Sequence, residues 1–116
     1  MRDSSWAEAA ICWVEALDAF FAEVDDAAGA DPRLDDFAAA TRAEFTDLEA
    51  IEPRARRVVE RMALCLQGSL LVRHAPAAVA DAFCAARLAG DAGLNYGTLP
   101  PGVDAAAIVA RHTPPV

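Results

Sequence analysis

The sequence predicts an all-α protein, most simply four antiparallel helices joined by short loops with a short fifth helix at the end. Three observations predict it. Apolar residues recur at spacings of three and four over long stretches, which marks one face of a helix. Proline and glycine punctuate those stretches at the places where helices start and stop. No run alternates apolar and polar residues as a half-buried strand would.

The first helix is expected over about residues 5–28. Ser5-Trp6-Ala7-Glu8 fits a capping box, in which the Ser5 hydroxyl and Glu8 carboxylate satisfy free amides. Trp6, Ala10, Trp13, Leu17, Phe20 and Val24 form its apolar stripe, and Gly29 suits the stop. A second helix is expected over 32–49, opened by Asp31 as N-cap and Pro32 in the first turn, with Leu34, Phe37, Thr41, Phe45 and Leu48 facing inward.

The third and longest helix is expected over 52–75. Ile51, Ala55, Val58, Met62, Cys65, Ser69 and Val72 mark one stripe; Val59, Ala63, Leu66 and Leu70 mark another beside it. Two stripes predict a central helix covered on more than one side. Gly68 in its interior costs about 1 kcal/mol relative to Ala, which a close helix crossing would explain. Pro76 cannot continue that helix but suits the first turn of a fourth, expected over 76–89, with Val79, Phe83 and Ala86 facing in and Gly90 as the stop. Asp91 to Gly102 has turn chemistry. Asp104 can cap a last helix over 104–111, and the end from His112 should fray.

The 116 residues fit a single domain, 1–116, able to bury roughly 65% of its unfolded surface. The apolar share of 55% overstates the core, because 29 residues are alanine and alanine contributes little burial. The core must rest on two Trp, five Phe and scattered aliphatic residues. Trp13 and Leu66 are expected among them, each costing about 2–5 kcal/mol when cut to Ala.

All ten basic residues are arginine, and the net charge of −8 argues against general affinity for nucleic acid or anionic membrane. The charge is uneven. Residues 1–50 hold 13 acids against 3 Arg, and residues 51–116 hold 5 acids against 7 Arg, so the halves should attract each other or the second half should show a basic face. Arg54, Arg57 and Arg61 fall on one helical face, with Arg56 beside them and Arg73 further on. Such a stripe could grip phosphates, or pair with the acids of the first two helices.

Cys12, Cys65 and Cys84 lack metal or redox spacing and read as buried thiols. His74 lies where a helix dipole favours a cation, His112 lies in the tail, and neither has ligand-spaced companions. Glu8 is better explained as a cap than as a catalytic carboxylate. The glycine-rich segments 90–93 and 97–102 match no phosphate- or dinucleotide-binding fingerprint. No signal peptide and no apolar run of about 20 residues appear, so the expected location is the cytoplasm.

The blocks Leu64-Cys65-Leu66-Gln67-Gly68-Ser69-Leu70-Leu71-Val72-Arg73-His74-Ala75-Pro76, Val79-Ala80-Asp81-Ala82-Phe83-Cys84, Arg87-Leu88, Gly90-Asp91 and Tyr96-Gly97-Thr98-Leu99-Pro100 come in an order that resembles the C-terminal end of the AidB-like, adaptive-response type acyl-CoA dehydrogenases. Ala30-Asp31-Pro32-Arg33-Leu34 and Ala55-Arg56-Arg57-Val58-Val59-Glu60-Arg61 fit the same region, so the resemblance spans about residues 14–111. It implies a homotetrameric FAD flavoprotein family, oxidoreductases of acyl thioesters linked to the DNA alkylation response, with DNA contact proposed for an added C-terminal helical region.

The correspondence is to that last region alone. The segments that hold flavin and supply the catalytic base lie upstream of it in the family, and Trp6-Ala7-Glu8-Ala9 does not fit the base motif. No catalytic, FAD or metal residue is therefore carried over, and whether the chain acts as an enzyme stays open. Three readings follow: a truncated helical domain acting as an assembly or interaction module, inactive alone; a subunit completing a flavoenzyme with a partner chain; or a DNA-binding module using Arg54, Arg57, Arg61 and Arg73. A partner would leave an exposed apolar patch on the first or third helix.

Overall fold

The computed structural model describes residues 4–115, with side chains from Glu8 onward, Ala10 excepted. Helix α1 spans Ser4–Asp25, α2 Pro32–Ala43, α3 Ala55–His74, α4 Ala77–Phe83 and α5 Ala105–His112. Short 3-10 turns follow α2 at Glu44–Thr46 and precede α3 at Glu52–Arg54, and α4 runs on into a π-helical turn at Cys84–Leu88. Among the described residues there is no strand. The chain is all-helical, as the periodicity predicts.

The stops and starts follow local chemistry. α1 ends at Asp25, three residues before the expected point, and the chain turns at Gly29 with φ of 85°. That left-handed angle costs an L side chain about 1–2 kcal/mol and glycine nothing. Asp31 then caps α2: its Oδ1 accepts from the Arg33 backbone N–H at 2.9 Å, with Pro32 in the first turn. α2 is shorter than expected. It tightens at Glu44 and is over by Thr46, where the Thr46 hydroxyl donates to the Ala43 carbonyl at 2.8 Å. Leu48 is exposed instead of facing inward. Asp104 caps α5 by accepting from the Ala107 N–H at 3.0 Å, and His112 closes that helix rather than lying beyond it.

α3 is the centre of the packing, meeting α1, α2 and α4. Val58, Cys65, Gly68 and Ser69 are its buried residues, all on or beside the first predicted stripe. Gly68 is where the helices cross most closely. A Cβ there would lie 3.0 Å from a Leu88 methyl, 3.1 Å from a Leu34 methyl and 3.5 Å from the Phe83 ring. Leu34, Cys84, Leu88 and Ala27 form the core around that point, with Phe37, Leu64, Val72 and Phe83 against it. Val24, Ala38 and Cys65 form a second layer with Phe20 and Phe37.

Three expected burials fail. Trp13 is 46% exposed and, among the described residues, meets the edge of one aromatic ring, Phe45, with ring centroids 6.1 Å apart. Of the second α3 stripe, Val59, Ala63 and Leu70 are exposed and Leu66 is half-buried. Cys12 is exposed, whereas Cys65 and Cys84 are buried as expected. A length difference accounts for the two on α1. At 1.5 Å per residue the 22 residues of α1 run about 33 Å and the 12 of α2 about 18 Å, so α1 extends past its neighbour. The radius of gyration is accordingly 17.6 Å, against about 13 Å for a compact chain of this size. Trp6 and Ala10 of the α1 stripe, and the Ser5 side of the capping box, lie outside the described side chains.

Candidate functional site

The four arginines singled out from the sequence do not form one patch. Arg54 braces the loop before α3: its guanidinium lies 3.0 Å from Glu44 Oε2 and donates to the Ala50 and Asp47 carbonyls at 3.0 and 3.1 Å. Arg57 stands 4.0 Å from the same Glu44 oxygen and is largely exposed. Arg73, at the far end of α3, pairs with Glu23 at 2.9 Å and Asp26 at 3.6 Å, and its Nε donates to the Ser69 hydroxyl at 3.2 Å. Some 16 residues of helix, about 24 Å, separate the two ends. The attraction between an acidic first half and a basic second half thus takes the form of specific ties from α3 to α1 and to the turn after α2.

Arg61 is different. Its guanidinium lies over the Phe37 ring at 4.2 Å from the centroid, and its Nε is buried with no hydrogen-bond partner. The ring face takes up part of the charge. Arg61 borders an open cleft of about 330 Å³ with Arg33, Asp36, Phe37, Leu88 and Ala89.

A second polar node joins α2 to α4. The Arg33 fork donates to Asp31 Oδ2 at 2.8 Å and Asp81 Oδ1 at 2.9 Å. The Arg33 guanidinium holds the Asp31 carboxyl below its ordinary range, and the two carboxylates push Arg33 upward in turn. Burial pushes the adjacent Cys84 thiol up to about 11, with the negative Asp31 adding to it. Burial likewise raises Cys65, whose thiol donates to the Thr41 hydroxyl at 3.4 Å. Neither is an activated thiolate. The buried Ser69 hydroxyl donates to the Val24 carbonyl at 3.2 Å, closing the α1–α3 contact. These groups are structural joints.

Among the described residues no group of three or more His, Cys, Asp and Glu could hold a metal ion, and no helix is long and apolar enough to cross a membrane. His74 sits exposed in the last turn of α3. Glu8 is exposed on α1.

What the geometry does assemble is apolar surface. On α1, Ile11 and Val14 are 58% and 54% exposed. On α3, Val59 is 64% exposed and Leu70 40% exposed, with Ala63 open between them. The α3 stripe leads into a groove of about 540 Å³ between α3 and α4, lined by Gln67, Leu70, Leu71, Phe83 and Arg87. The apolar periodicity of the second stripe was visible in the sequence; its exposure was not, because it depends on where the neighbouring helices pack. The fold and this surface define an all-helical protein with exposed apolar residues on α1 and α3. No known protein family, curated protein or solved structure matches the chain.

Proposed function

We propose that this chain is a helical assembly module, the C-terminal helical domain of an AidB-like acyl-CoA dehydrogenase, which works by packing against another polypeptide. The observation that carries the reading is the exposed apolar face of α1 and α3. It is the feature the sequence argument required of a chain lacking its partner. The motif blocks from Leu64 to Pro100 supply the family half of the proposal. On this reading the first four helices run up, down, up and down as one antiparallel bundle. Contacts of Leu34 and Phe83 with Gly68, and of Arg73 with Glu23, support that order.

In that role the chain contributes surface, and FAD chemistry belongs to the dehydrogenase domains of the family. The test has two arms. Purified with excess FAD and offered acyl-CoA, the chain should stay colourless; tightly held flavin that bleaches with substrate would refute a purely structural role. Light scattering over a concentration series should show association with itself or with added dehydrogenase domains. A chain that stays monomeric and binds neither would end the proposal.

DNA binding through Arg54, Arg57, Arg61 and Arg73 is the second reading. Arg54 and Arg73 are engaged by acids, which disfavours it, whereas Arg57 is mostly open and Arg61 pairs with no acid among the described residues. It requires affinity for duplex DNA that falls steeply with salt and weakens in Arg57→Ala and Arg61→Ala.

A further inference from the structure

We infer that the occupant of the α3–α4 groove is the projecting half of α1 from a second copy of this chain, exchanged reciprocally to make a two-fold dimer. The inference rests on the assembly reading above and specifies its interface.

Three features of the two surfaces match. The first is reach. α1 extends past α2, and Ile11 and Val14 stand open on its outward face. The second is length. From Glu8 to Asp18 the projecting face runs about 15 Å, and from Val59 to Leu70 the α3 stripe runs about 17 Å, at 1.5 Å per residue. Val59, Ala63, Leu66 and Leu70 recur at four, three and four, so they present one ridge-and-groove line to an incoming helix. The third is charge. The described charged residues of the projecting half, Glu8, Glu15 and Asp18, are all acidic. Two such helices would repel each other if they paired directly. The α3–α4 surface instead carries exposed Arg56 at one end of the stripe and Arg87 at the groove, with Glu60 the one acid along it. Opposite charge therefore flanks matched apolar lines, and a two-fold axis makes each copy donor and acceptor at once.

The contact is small and calls for a dimer that forms reversibly at submillimolar concentration. Sedimentation equilibrium on the full chain tests it. Ile11→Glu and Leu70→Glu each change an exposed side chain, so helix content and melting should hold while dimerisation weakens at least tenfold. The decisive measurement is the mixture. An Ile11→Glu copy keeps its groove and a Leu70→Glu copy keeps its α1, so together they should regain one of the two contacts and associate better than either alone. Cys12, the exposed cysteine on that half of α1, gives an independent readout. A maleimide dye attached there should shift its emission on dimerisation, and Leu70→Glu should abolish the shift.

A dimer indifferent to both substitutions would overturn this interface and leave the assembly reading intact. A chain monomeric at every concentration that binds dehydrogenase domains through the same residues would replace the second copy with that partner, and would likewise overturn the inference. A monomer that binds nothing would remove both.

Discussion

The two ends of this molecule carry the same kind of sequence and end in opposite states. Around Gly68, the inward-facing apolar residues are fully covered: Leu34 is 1% exposed and Cys84 completely buried. Around Trp13 and Val59, residues of equal or greater apolarity at the same spacing face solvent. The helices themselves do not differ. What differs is the cover: α1 runs 22 residues against the 12 of α2, and on α3 Val58 is buried while its neighbour Val59 faces outward. Periodicity assigns a face to a helix; the lengths of adjacent helices decide how much of that face is buried.

The largest effect should separate the ends directly. Leu34→Ala removes a side chain from the closed core and should cost about 2–5 kcal/mol. Trp13→Ala removes a larger side chain but loses mainly its edge contact with Phe45, at about 1 kcal/mol. Chemical denaturation of the two variants checks the ranking. Equal losses would mean that the open end is as well packed as the closed one.

Gly68→Val tests the crossing itself. The first added carbon already meets two leucine methyls at 3.0 and 3.1 Å, and the branches must push further into Leu34 and Leu88. Overpacking of this kind costs about 1–3 kcal/mol, and melting temperature should fall accordingly. Val59→Gly at the open end, by contrast, should show only the helix-propensity penalty of Gly, about 0.5 kcal/mol. A stable Gly68→Val would show that the helices can separate there without loss.

Much of the fold was legible. The caps at Asp31 and Asp104 announce themselves because Asp competes well for free amides at a helix start, and Gly29 and Gly90 because few other residues accept positive φ. Gly68 was legible as a crossing because a mid-helix glycine needs a reason. The exposure of Cys12, Trp13 and Val59 was not, since it depends on how far α2 reaches along α1 and on which side of α3 its neighbours pack, and the tightening at Glu44 leaves only a weak trace in the sequence. The arginines show the same limit for the candidate site. Their shared face was visible, yet whether a guanidinium meets Glu44, Phe37 or water is settled only by packing across helices. The groove of Leu70, Leu71, Phe83 and Arg87 belongs to two helices, and no single-helix pattern reports it.

A smaller effect belongs to Asp31, which both caps α2 and pairs with Arg33. Asp31→Ala should cost about 1 kcal/mol at neutral pH, whereas Asp31→Asn keeps a capping oxygen and loses less. The pH dependence has a definite sign. The carboxyl titrates lower in the folded protein than its ordinary 3.8, so its contribution is present above that value and lost as pH falls through the lowered folded one. Acid titrations followed by circular dichroism should therefore show a shallower loss of stability below pH ~4 in Asp31→Asn. An identical acid limb in both proteins would separate Asp31 from the pairing at the closed end.

The smallest effect should come from the exposed ion pairs, and it sharpens the contrast between ends by showing what does not create it. Arg42 and Asp25 meet at 2.9 Å with both side chains about half open to solvent. Such pairs contribute roughly 0–1 kcal/mol and are screened by salt. Arg42 also lies over the Phe21 ring at 4.5 Å from its centroid, a contact that Asp25→Asn leaves in place. Asp25→Asn should thus change stability by under about 0.5 kcal/mol, and added salt should erase the difference. A larger, salt-resistant loss would mean that charge, and not the reach of α2, distinguishes the covered end of α1 from its projecting one.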